Sequence, residues 1–277
     1  MDEKTYDEIL DEKNPKIKQL YWDIAFGLQE VDKLKPSKYM IELANEHIKG
    51  TKTYKEVQNE ISSYHENSDL SDEKEADEVA TAIYEILNDG AFRFDYLTYK
   101  NYHKRLFQNL DKKVYNAGEF RTHNFTKDEE ILDNDTVTYQ SYDLIEKTLK
   151  YDFKEEKQID YSNFTNEELI DRISEFTSRI WQVHPFNEGN TRTTAVFIQK
   201  YLISIGFDVN NDLFKDNSLY FTNALVRANY TNYAKGIKET KKYLIMFFEN
   251  LLFNKNNKLD NDDIYILTKK MIISDWR

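Results

Sequence analysis

The chain of 277 residues carries a formal net charge of −12 and no cysteine. Such a length can bury one large core or two modest ones without staples, and the missing thiols exclude disulfide frameworks, thiolate zinc sites and cysteine nucleophiles, fitting a reducing, cytoplasmic setting. The acidic balance argues against a nucleic-acid backbone or an anionic membrane as main partner, since both select basic surfaces.

Seven glycines and three prolines punctuate the chain, which predicts long uninterrupted helices and a mainly α fold. The N-terminal MDEKTYDEIL lacks the basic start and apolar core of a signal peptide. Asn14 can cap a helix that begins at Pro15, and Thr53 with Glu56 forms a capping box for another. The charged stretch Glu66 to Asp77 marks a boundary, dividing a small helical bundle at residues 1–70 from a larger domain at 71–277. Gly90 and Gly206 read as helix stops. Between Arg121 and Gln140, β-prone pieces such as Thr136-Val137-Thr138-Tyr139 predict a loop or a small β-hairpin.

Thr165 and Glu168 form a second capping box, after which Leu169, Ile170, Ile173, Phe176, Ile180 and Trp181 recur at helical spacing. That helix delivers the chain to His184. Another helix is expected from about Asn190 to Ile205, so the segment HPFNEGNTR lies in the elbow between two helices. The apolar run Tyr243 to Phe253 is about half a bilayer span and reads as a core helix.

The elbow carries chemistry. Glycine and asparagine ahead of a helix leave backbone N–H groups pointing outward at the positive end of the helix dipole, an anion cradle. Glu188 adds a carboxylate suited to magnesium, Arg192 a forked donor for phosphate, and His184 a base near neutrality. These are parts for phosphoryl or nucleotidyl transfer. Alone, His184 would read as a satisfied, half-buried histidine and Arg192 as a solvated helix residue; their neighbours tip the balance. His47, His65, His103 and His123 show no ligand spacing and read as surface or packing residues. Trp22, Trp181 and the tyrosines read as core and rim.

The segment resembles the Fic-family signature HxFx(D/E)GNGRxxR, matched at His184, Phe186, Glu188, Gly189, Asn190 and Arg192. YHKRLFQNL at Tyr102 to Leu110 and AGEFRT at Ala117 to Thr122 are similar to the stretch leading into that family's target-positioning flap, which would be the hairpin near Arg121 to Gln140. ALVRAN at Ala224 to Asn229 resembles the segment whose asparagine reaches the adenosine, nominating Asn229. The resemblance implies a Fic-type helical core with a β-hairpin flap. It also implies an adenylyltransferase moving AMP from ATP onto a Ser, Thr or Tyr hydroxyl of a target protein held by the flap, self-modification being one outcome. In that scheme His184 takes the proton, Glu188 holds Mg²⁺, Gly189 and Asn190 line the anion hole, Thr191 stands where the family approaches phosphate with bare backbone, its hydroxyl a substitute donor, and Arg192 holds the outer phosphates.

Two signature positions differ. Thr191 replaces the second glycine, tolerable where the backbone is helical and strained where φ is positive. Ala195 replaces the last arginine, which in the family grips the γ-phosphate and pairs with an inhibitory glutamate on an (S/T)xxxE(G/N) helix. The run from Trp22 to Tyr64 resembles the helical antitoxin that accompanies many Fic proteins. There Leu28, Asp32 and Lys33 stand in place of Ser or Thr, Glu, and Gly, so both ends of the inhibitory bridge read as degraded and the region as chiefly structural. A literal match, Ser62 to Asn67 with Glu66 as the acid, is loose enough to arise by chance. Three alternatives stay open: removal of AMP on the same site, a nucleotide-binding module with little turnover, and transfer of a different nucleotide or phosphate group.

Overall fold

The computed structural model describes residues 11–66, 71–209 and 212–266. Ten α-helices form among them: α1 Pro15–Gly27, α2 Lys38–Lys49, α3 Tyr54–His65, α4 Ser71–Asn88, α5 Tyr96–Phe107, α6 Ile145–Lys157, α7 Asn166–Val183, α8 Asn190–Ser204, α9 Leu213–Ala228 and α10 Lys242–Phe253. The expected caps set their ends. The Asn14 side chain accepts from Lys16 N ahead of Pro15, and both capping boxes close on α3 and α7. Gly206, at φ +97, follows the end of α8, and α4 stops two residues short of Gly90. No described helix is long and apolar enough to cross a membrane.

The chain divides into two compact units, one within Met1–Phe120 and Phe186–Ser218, the other within Arg121–Pro185 and Leu219–Arg277. In the first unit α1 packs on α2 and α4, and α8 packs on α4 and α5. Its interior is aromatic: Trp22 stacks on Tyr84 at 4.6 Å, and Tyr99, Phe107, Phe186 and Phe197 are fully buried. His47 and His65, expected as surface or packing residues, are both packing residues with polar duties. His47 takes the Trp22 indole N–H at 3.0 Å and faces Asp11 at 2.9 Å; His65 meets Asp77 at 2.9 Å. Each buried ring thus satisfies a neighbour that would otherwise be costly to bury.

In the second unit α7 packs on α6 and α10 through the expected stripe, with Phe153 edge-on to Phe176. The helix α10 fulfils its reading as a core helix, burying Leu244, Phe247, Phe248 and Leu251. The hairpin is reduced. Among the described residues its only pairing is an isolated antiparallel bridge, Glu129 to Asp135, around a 3₁₀ turn at Glu130–Leu132. The reason is competition for backbone partners. The Thr138 carbonyl accepts from Gln182, the Gln140 N–H donates to the Gln182 carbonyl at 3.3 Å, and the Gln140 carbonyl accepts from Arg121. Those three groups are then not available to a strand ladder.

Candidate functional site

The C-terminus of α7 carries His184, the residue expected to act as base. His184 caps the helix in the left-handed region at φ 48, its N–H donating to the Trp181 carbonyl at 2.9 Å, so the chain turns sharply at the histidine itself. Its ring stacks on Tyr139 at 4.0 Å and meets Trp181 and Phe125 edge-on. His184 is only 5% exposed, and its Nδ1 is buried with no hydrogen-bond partner. Burial first, then the charges of Lys127 and Arg121, push its pKa well below the usual 6.5, so the ring is neutral at physiological pH.

Arg121, named from the sequence only within AGEFRT and as the start of the predicted hairpin, holds this turn together. Its Nε donates to the His184 carbonyl at 2.7 Å, one terminal nitrogen to the His123 carbonyl at 2.7 Å, and its backbone N–H to the Pro185 carbonyl at 2.8 Å. A guanidinium only 3% exposed must find several acceptors, and these carbonyls supply them.

The phosphate-binding candidates open α8 in the first unit. Gly189 is its N-cap at φ 76, a conformation that favours glycine, and a Cβ there would lie 2.3 Å from the Phe107 ring. The Asn190 side chain does not face outward. Its Oδ1 accepts the Phe186 N–H at 3.0 Å and its Nδ2 donates to the Phe186 carbonyl at 2.8 Å, so it closes the loop from within. Fully buried Phe186 anchors that loop, its burial worth about 1.5–3 kcal/mol. Thr191 lies within the helix with ordinary φ, so the glycine it replaces is not needed there for a positive φ. Thr193 and Thr194 return their hydroxyls to the Gly189 and Asn190 carbonyls, at 2.9 and 2.8 Å.

Glu188 is exposed, and the neighbouring Asn187 carries a buried Oδ1 without a donor. An exposed carboxylate is a ligand type that a hydrated magnesium ion takes. No group of three or more His, Asp or Glu able to hold a metal occurs among the described residues.

Arg192, expected to hold outer phosphates, is 1% exposed and already engaged. Its Nε lies 2.8 Å from Asp32 and a terminal nitrogen 2.7 Å from Glu75, while Gln29 accepts at 3.2 Å and the Phe107 ring lies beneath. Asp32, which stands where the resemblance places an inhibitory glutamate, thus meets Arg192, while Ala195 offers no guanidinium at the position where that glutamate's partner was expected. Lys33, standing where the family has glycine, takes the left-handed conformation at φ 59. Glu66 sits exposed at the end of α3 and Ser62 is half-buried, while Asn67 of that literal match lies outside the described residues.

Asn229, in the second unit, follows α9 and donates from its side chain to the Leu225 carbonyl at 2.9 Å, the act of a helix terminator. His103, read as a surface or packing residue, is fully buried and bonded to the loop: its Nε2 lies 3.1 Å from the Glu188 carbonyl.

Residues 93–202 match the Fic/DOC family model, a span that contains His103, Arg121 and the whole His184 to Arg192 segment. No curated protein matches the chain.

Proposed function

We propose that this chain, a Fic-family protein through its residues 93–202, transfers AMP from ATP to a hydroxyl of a target protein. The family typically moves nucleotide-linked groups onto proteins. The observation that carries the finer reading is a neutral, buried His184 in the same segment as a glycine-started helix whose first N–H groups have no helical acceptor.

In this reading the target hydroxyl gives its proton to His184 as its oxygen bonds to the α-phosphorus. The bond from that phosphorus to the bridging oxygen breaks, and pyrophosphate leaves. Gly189 and the start of α8 neutralise the phosphate charge through their N–H groups and the helix dipole. Glu188 would hold magnesium, which supplies charge neutralisation for the polyphosphate. Arg192 must exchange Asp32 and Glu75 for phosphate before it can take part, which makes the Asp32 contact restraining. The flap region near Arg121 to Gln140 would present the target chain.

Purified protein incubated with α-labelled and, separately, γ-labelled ATP tests the reading. Protein-bound label from the α position alone supports AMP transfer; label from the γ position, or from neither, contradicts it.

A further inference from the structure

His103 lies on α5, fully buried, with both ring nitrogens engaged. The Gly118 N–H donates to Nδ1 at 2.9 Å, which makes Nδ1 the acceptor and leaves the proton on Nε2. That Nε2–H is 3.1 Å from the Glu188 carbonyl oxygen. The ring also lies flat on Phe186, 3.7 Å between centroids at an interplanar angle of 4°.

The bond to Glu188 has a geometric consequence. A peptide unit is planar and trans, so its N–H points opposite to its C=O. Pinning the Glu188 carbonyl onto His103 therefore turns the Gly189 N–H away from the His103 ring. Asn190 fixes the other end of the loop at Phe186, and Phe107 blocks any residue larger than glycine at 189. These contacts hold the loop at both ends, and the His103 bond is one that a tautomer change would reverse.

We propose that His103 is a positioning residue of the phosphate site, its Nε2–H holding the Glu188–Gly189 peptide so that the Gly189 N–H faces a bound nucleotide phosphate. The inference rests on the AMP-transfer reading for its ligand, though it concerns binding rather than the chemical step. An Nδ1–H tautomer would present a lone pair to the Glu188 carbonyl and a proton to the Gly118 N–H, so the peptide would rotate away.

Three variants separate this role from simple packing. His103→Gln can place an amide N–H near the Nε2 position, His103→Asn places its carbonyl near Nδ1, and His103→Leu keeps volume alone. Magnesium-ATP affinity, measured by calorimetry on the full chain, is expected to stay within about threefold of wild type for His103→Gln, and to fall at least ~10-fold for His103→Asn and His103→Leu, as for one lost buried hydrogen bond. Where His103→Leu fails to fold, the Gln and Asn pair decides alone. Equal affinity in the two amide variants overturns the proposal, as does failure of the wild type to bind magnesium-ATP. Nitrogen-15 resonances of the wild-type ring should report Nε2–H and bare Nδ1 from pH 5 to 8; the opposite tautomer or an imidazolium overturns it too. Binding that ranks as expected without transfer of an α label would sink the transfer reading and leave the role of His103 standing.

Discussion

Asp32 Oδ2 lies 2.8 Å from Arg192 Nε, and this contact joins the N-terminal helices to the first turn of α8. Arg192 is buried, whereas the Asp32 side chain keeps about a third of its exposure, 29%. With Glu75 also on the guanidinium, the two carboxylates offset the cost of burying it. The same pairing makes them competitors of phosphate for one fork of donors.

Asp32→Asn is therefore expected to raise magnesium-ATP affinity about 3- to 10-fold, because the ion pair that competes with phosphate is weakened, while lowering stability by about 1–3 kcal/mol. Calorimetry and denaturant unfolding check the two halves. Lower stability with unchanged affinity would show the pair to be structural alone. Glu75→Gln should act in the same direction.

The neutral histidines predict a particular acid sensitivity. His184 and His103 both have folded pKa values depressed below 6.5, the latter to about 3. The unfolded chain therefore binds more protons below pH 6.5, so their contribution to stability is complete above that pH and is lost as pH falls. Unfolding free energy should drop by about 1.4 kcal/mol per pH unit for each histidine below 6.5, continuing toward pH 3 for His103. Denaturant midpoints at pH 7.5, 6 and 5 measure this, with His103→Gln expected to flatten the slope. Transfer activity should not show a half-loss at pH 6.5, because His184 is still the free base there.

Gly189→Ala tests the loop's setting. The left-handed φ of 76 costs a side chain about 1 kcal/mol or more, and the added carbon would sit 2.3 Å from the Phe107 ring. The variant should lose several degrees of melting temperature and at least ~10-fold in nucleotide affinity, measured by thermal unfolding and calorimetry. Wild-type affinity in this variant would mean that the loop does not meet phosphate.

What was legible in the sequence was local. Asn14 with Pro15, Thr53 with Glu56 and Thr165 with Glu168 act within one helical turn, so their residue types fixed helix starts. His184 and Gly189 declared themselves by lying between two helical patterns. The roles of Arg121 and His103 were hidden because their partners are 63 and 85 residues away in the chain, and no periodicity links such positions. The Asp32 contact was missed because the pattern sought its partner at Ala195. The hairpin was overread for a related reason: β-prone residues from Thr136 to Tyr139 describe what a backbone can do, and Arg121 and Gln182 took the backbone groups first.

Intact-mass analysis of the protein and its captured target after incubation with ATP and magnesium, wild type beside His184→Ala, tests the central claim most directly. The account predicts a gain of one adenylate on a hydroxyl residue with wild type, and a yield at least ~10²-fold lower when the base is removed. Equal adenylate incorporation by the two proteins, or no adenylate with wild type, would contradict it.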